Sequence, residues 1–117
     1  MAEPLLVDTD IFVEHLRAVR RLELHGQAGA YSVVTRAELF AGRSAEEEPV
    51  QRLLEPLREL IFDAAIAERG GWILRQTALA LPDALIAATP LEHDLTLLTR
   101  NRRHFERIDG LRVRSPA

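Results

Sequence analysis

Asp8, Glu38 and Asp83 are the carboxylates whose places in the chain suggest chemistry. Asp8 closes the apolar run Pro4-Leu5-Leu6-Val7, Glu38 falls one turn into the helix that follows Ala30 to Val34, and Asp83 opens the helix leading to Leu95 through Thr99. Asn101 comes just after that last segment. In an open α/β sheet the carboxyl ends of the parallel strands share one rim, where ligands bind. Three carboxylates gathered there repel one another, and the usual resolutions are a shifted pKa or a bound hard cation. Oxygen donors without cysteine point to Mg²⁺ or Mn²⁺. Each acid also has a structural reading. Glu38 is placed to be the reciprocal partner in a capping box begun by Thr35. Asp83 suits the positive end of its own helix dipole. Asp10 is the natural cap of the first helix, which leaves Asp8 without a capping duty.

The elements that must carry these residues can be followed along the chain. Pro4 to Asp8 is an unalternated apolar run followed at once by a helical pattern, the mark of a parallel strand buried on both faces. The helix after it presents Ile11, Phe12, His15, Leu16 and Val19, with His15 as a packed histidine. Ala30 to Val34 reads as the second strand, and Thr35 to Glu38 as the start of the next helix. A helical stripe runs from Val50 through Leu53, Leu54 and Leu57 to Leu60, interrupted by Pro56. Leu60 to Asp63 reads as a third strand, with Asp63 capping a helix weakened by Gly70-Gly71. Leu81 to Asn101 then supplies a central helix, apolar on nearly every face, and the buried strand Leu95 to Thr99. Pro90 predicts that this helix turns early, and Asp94 tolerates left-handed backbone. A short polar helix around Phe105 and an edge strand at Leu111 to Val113 complete the pattern. Alternating strand and helix predict a single-domain three-layer α/β/α sandwich over 1–117, with a central, mostly parallel sheet.

Composition narrows the functions. With 117 residues the chain makes one core, and with no cysteine it has neither disulfides nor thiolate chemistry, which suits a reducing cytoplasm. No apolar run approaches a membrane span, and Met1-Ala2-Glu3-Pro4 lacks the order of a signal peptide. The net charge of −3 is unevenly spread, with arginines concentrated from Arg100 onward. All fifteen basic residues are arginine. Without a lysine the chain is no phosphoacceptor receiver domain, and without a glycine-rich turn it is no dinucleotide-binding half-domain. Arg36, Arg100, Arg102 and Arg103, beside the acidic rim, suit a phosphate backbone, or else serve only as a solvated surface.

The segments Leu6-Val7-Asp8-Thr9-Asp10-Ile11, Ser32-Val33-Val34-Thr35-Arg36-Ala37-Glu38-Leu39, Leu81-Pro82-Asp83-Ala84-Leu85-Ile86-Ala87-Ala88-Thr89 and Leu97-Leu98-Thr99-Arg100-Asn101 together resemble the successive motifs of PIN-domain ribonucleases of the VapC toxin type. Order and spacing agree across almost the whole chain. The resemblance implies a parallel sheet flanked by helices, a Mg²⁺- or Mn²⁺-dependent site that cleaves RNA, a homodimer and a VapB-type antitoxin partner. It makes Asp8, Glu38 and Asp83 the metal-binding acids and matches Thr9 and Thr99 to small hydroxyl residues near the site. Asn101 stands where the wider family often has Asp. Its amide oxygen can coordinate a cation or hold a water but adds no charge, which leaves the number of metals open.

Two other functions fit part of the pattern. Asp8-x-Asp10 after an apolar strand also suits a phosphatase of the haloacid dehalogenase type, with Asp8 as nucleophile and Asp10 as general acid. Asn101 also fits a degenerate PIN domain that binds RNA or a partner without cutting.

Overall fold

A computed structural model describes residues 3–42 and 46–116. The reading of Met1-Ala2 as lacking a leader lies outside the described residues. Short buried runs set the inner strands β1 (Leu5–Val7), β2 (Gly29–Ser32) and β4 (Thr96–Leu98), and more exposed, polar segments form the edges β3 (Arg58–Leu60) and β5 (Val113–Arg114). They form one sheet in the order β3-β2-β1-β4-β5, every pairing parallel. The helices are α1 (Thr9–Leu16), α2 (Val33–Ala41), α3 (Glu47–Leu54), α4 (Ala64–Gln76), α5 (Leu81–His93) and α6 (Arg102–Phe105).

Alternation along the strands divides the core into two layers. Leu6 and Leu97 point to one side, where they join Ile66 and Ile73 of α4 and the apolar run of α5. Leu5, Val7, Tyr31 and Leu98 point to the other, against Phe12 of α1, Leu39 of α2 and Val50 and Leu54 of α3. The sheet is therefore the middle of three layers, as the strand and helix alternation predicts. None of the described helices is long and apolar enough to cross a membrane.

Several boundaries differ from the sequence expectation. The first helix begins at Thr9, and Asp8 rather than Asp10 is its cap, the carboxylate accepting the Thr9 N–H at 2.8 Å. Ser32 rather than Thr35 caps the second helix, its hydroxyl accepting the Val34 N–H at 3.0 Å, so Val33 and Val34 are helical and no capping box joins Thr35 to Glu38. The stripe expected to reach Leu60 stops as helix at Leu54. Pro56 has no N–H for another turn, and the chain passes instead into β3 at Arg58–Leu60, earlier than the expected Leu60 to Asp63. Asp63 caps α4 as expected, accepting from the Ile66 N–H at 3.0 Å.

Pro90 does not end α5. The helix continues to His93 and closes at Asp94, whose φ of 55° is left-handed. A proline inside a helix costs about 3 kcal/mol. Ala84 through Pro90 are buried without a break, and each large apolar side chain so placed contributes about 1.5–3 kcal/mol, which outweighs that cost. Packing decides the length of this helix against local preference. The close approach of α4 explains the first glycine of Gly70-Gly71, because a Cβ at Gly70 would stand 2.8 Å from Leu85 Cδ2, while one at Gly71 would meet nothing within 4 Å.

Candidate active site

Register places the deepest residues. β1 lies between β2 and β4, with Val7 opposite Leu98, so the residues that follow, Asp8 and Thr99, leave the sheet side by side. The Asp8 N–H continues the ladder by donating to the Leu98 carbonyl at 2.9 Å. Thr99 is fully buried, and its hydroxyl donates to Asp8 Oδ2 at 2.7 Å while accepting the Asn101 N–H at 3.0 Å. One buried hydroxyl thus ties the end of β4 to the end of β1.

Thr9, in the first turn of α1, makes the second connection. Its hydroxyl donates to Glu38 Oε1 at 2.7 Å and lies 2.9 Å from the hydroxyl of Thr35, one turn before Glu38 on α2. Glu38 is therefore tied to α1 across the helix interface rather than to the start of its own helix. Asp83, in the first turn of α5, lies 3.3 Å from Nε2 of His104 on α6. These side chains share a cleft of about 430 Å³ whose wall includes Asp8, Thr9, Asp10, Glu38, Asp83 and Asn101, with Glu14 and His104 at its margin. A larger groove of about 890 Å³ between α1 and α3 has no carboxylate in its lining, so the smaller cleft is where chemistry concentrates.

Electrostatics follow from crowding. Burial, reinforced by the charges of Asp10 and Asp83, pushes the Asp8 carboxyl up to about 7 against the opposing hydrogen bonds from Thr99 and Thr9. Burial likewise raises Asp10, whose Oδ2 accepts the Arg100 N–H at 3.2 Å. Its Oδ1 is buried and has no hydrogen-bond partner among the described residues. That orphaned oxygen, the raised Asp8 and an all-oxygen donor set fit a hard divalent cation by charge and ligand type. Among the described residues no three acids or histidines stand close enough to form a ready-made coordination cluster. The carboxylates instead lean on Thr99, Thr9 and His104.

The other expected residues separate. Asn101 is exposed at the cleft and its side chain caps nothing, although it precedes α6. Arg36 is turned away, ion-paired to Glu59 and donating to the Tyr31 hydroxyl at 2.8 Å. Arg100 is outside the cleft lining and pairs with Glu14 at 2.6 Å, Arg102 lies 3.8 Å from Glu106, and Arg103 is exposed. His15 is half-buried and accepts the Leu22 N–H at Nδ1, the packed role expected of it. His104 is a site residue that the motifs do not name, although its spacing carries a signal: three residues after Asn101, it falls on the same side of the short helix that Phe105 anchors. Asp10, expected only as a cap, lines the cleft through the strand end it binds.

The chain and its fold have known relatives. The family model described as PIN domain matches residues 5–111. The chain is 38% identical over 120 residues to Ribonuclease VapC10 of Mycobacterium tuberculosis, covering 92% of this chain and 90% of that protein. Among solved structures it is similar to a chain of a toxin-antitoxin complex from Klebsiella pneumoniae, with a TM-score of 0.82, 32% identity and 97% and 98% of the two chains covered. It also resembles a chain of VapBC2 from Rickettsia felis bound to a promoter DNA fragment, with a TM-score of 0.79, 26% identity and 97% and 99% covered.

Proposed function

Because this chain belongs to the PIN-domain family, among the ribonucleases of the VapC type, we propose that it is a divalent-cation-dependent endoribonuclease and the toxin of a VapBC-type pair. The observation that carries this reading is the meeting of Asp8, Glu38 and Asp83, from three distant stretches of chain, in one cleft beside Asn101. The haloacid-dehalogenase reading is set aside, since the PIN model accounts for residues 5–111.

The reaction is hydrolysis of an RNA phosphodiester. Water attacks phosphorus, the bond from phosphorus to the 3'-oxygen breaks, a proton passes to that oxygen, and the products carry a 3'-hydroxyl and a 5'-phosphate. Asp8, Glu38 and Asp83 would hold Mg²⁺ or Mn²⁺, which when bound supplies an activated water and offsets charge growing on the phosphate. The chain's own residues set the conditions for it. Thr99 and Thr9 fix the carboxylates of Asp8 and Glu38 through short hydrogen bonds, so neither acid is free to turn away. The acids lining the cleft repel a phosphodiester of like charge, which is why cleavage should require a cation. Asn101 brings an amide oxygen without further charge, and one cation suffices for this donor set.

The same reading includes an antitoxin of the VapB type covering the cleft, a homodimer and a cytoplasmic setting. The antitoxin partner is supported by VapBC and toxin-antitoxin complexes among the similar solved structures. The test is cleavage of a fluorescent single-stranded RNA with Mg²⁺ or Mn²⁺ against an EDTA control, with the 5'-phosphate identified on the product. Asp8→Asn should lower the rate at least about a hundredfold with fold and oligomeric state intact. A purified Asp8→Asn protein as active as the parent would sink the assignment. Metal-independent RNA binding without cleavage by the parent would favour the degenerate PIN domain.

A further inference from the structure

A second concavity lies beside the acidic cleft. It measures about 740 Å³ and is lined by Arg75 at the end of α4, Thr77 and Leu79 of the loop to α5, and Arg103, His104 and Arg107 on and after α6. His104 belongs to both walls, so the groove and the cleft adjoin across this one side chain. The short loop 77–80 puts the end of α4 beside the start of α5, and α6 follows closely on β4, so Arg75 lines the same groove as Arg103 and Arg107.

Ion pairing separates these arginines from the others that the sequence places at the rim. Arg36, Arg100 and Arg102 each stand within reach of a carboxylate. Among the described residues Arg75, Arg103 and Arg107 form no ion pair, and all three are exposed. The one acid in the groove lining, Glu106, lies 3.8 Å from Arg102. Three uncommitted guanidiniums on one wall favour a polyanion, since the planar fork matches phosphate oxygens and sheds water readily. The opposite side of the cleft carries Glu14 and Glu38, which repel phosphate, so a bound chain is favoured toward α6.

We propose that Arg75, Arg103 and Arg107 form the track that holds the RNA backbone next to the bond being cut, with the strand passing His104 between groove and cleft. This rests on the RNA-cleaving reading of the cleft and revises the expectation from sequence. Arg103 stays in the contact set, Arg75 and Arg107 join it, and Arg36, Arg100 and Arg102 leave it because carboxylates already engage them. One strand fits, because a second backbone would meet the acidic side.

The test is fluorescence anisotropy with a labelled single-stranded RNA, on the Asp8→Asn background so that binding is read without turnover. The triple variant Arg75→Ala, Arg103→Ala, Arg107→Ala should bind at least about tenfold more weakly at moderate salt. The slope of log affinity against log salt should fall by about 2, at about 0.7 for each phosphate left without its arginine on a single strand. The triple lysine variant should keep most of the slope, and Arg52→Ala, on the far groove, should match the parent. Unchanged affinity and slope in the triple alanine variant, with an unaltered unfolding midpoint, overturns the track. So does loss of binding to polyglutamate with RNA binding intact, which would mark the groove as a surface for an acidic peptide. A parent that binds RNA through these arginines but cuts nothing overturns the nuclease reading and leaves the track standing.

Discussion

Asp8 carries opposed demands. It caps α1, accepts from a buried threonine, and is almost wholly buried near two other acids, so its charge is disfavoured in the cation-free protein. The sign follows from linkage. With the folded carboxyl at about 7 and its ordinary value at 3.8, the folded state binds more protons between those limits. The contribution of Asp8 to stability is greatest below about pH 4, falls as pH rises toward 7, and is level above. The full shift is worth on the order of 4 kcal/mol. In EDTA, urea unfolding of the parent should weaken across that window, whereas Asp8→Asn, in which only Asp10 keeps a raised carboxyl, should weaken less and exceed the parent by a few kcal/mol at pH 8. Equal pH profiles for the two proteins would show that Asp8 ionises without strain.

The helices that carry the site are set by neighbours as much as by their own residues. Ser32 caps α2 because β2 ends there, which turns Thr35 and Glu38 toward α1. Ser32→Ala should cost about 1 kcal/mol in chemical unfolding, the usual worth of such a cap. The glycine pair in α4 separates two causes. Gly71→Ala should raise stability by about 1 kcal/mol, since the added methyl meets nothing. Gly70→Ala should give no gain, because its methyl must displace Leu85. Matched gains at both positions would mean that α4 and α5 are not packed as described.

Across the molecule, charge is arranged in patches although the sum is only −3. The acids gather in the cleft, and arginines without an ion pair among the described residues gather in the groove beside it. Added Mg²⁺ should therefore stabilise the fold. At a hundredfold excess over its dissociation constant the gain is about 2.7 kcal/mol. The effect should grow from pH 6 to 8, as a proton on Asp8 ceases to compete, and vanish in Asp8→Asn combined with Asp83→Asn. A thermal shift independent of pH and of both acids would place cation binding elsewhere. The amino-acid sequence by itself determined the order of strands and helices, the parallel sheet and the acids at its rim. These follow from apolar periodicity and from residues at strand ends, which are local in the chain. Only the tertiary structure decided that Asp8 caps its own helix, that Glu38 answers to Thr9 rather than to a capping box at Thr35, that α5 runs through Pro90, and which arginines at the rim stay unpaired. Apart from the Asp8 cap, whose bond is to the next residue, each of those turns on a contact beyond the local segment or on burial against a neighbouring element, and such energies outweigh the local preferences that a sequence displays.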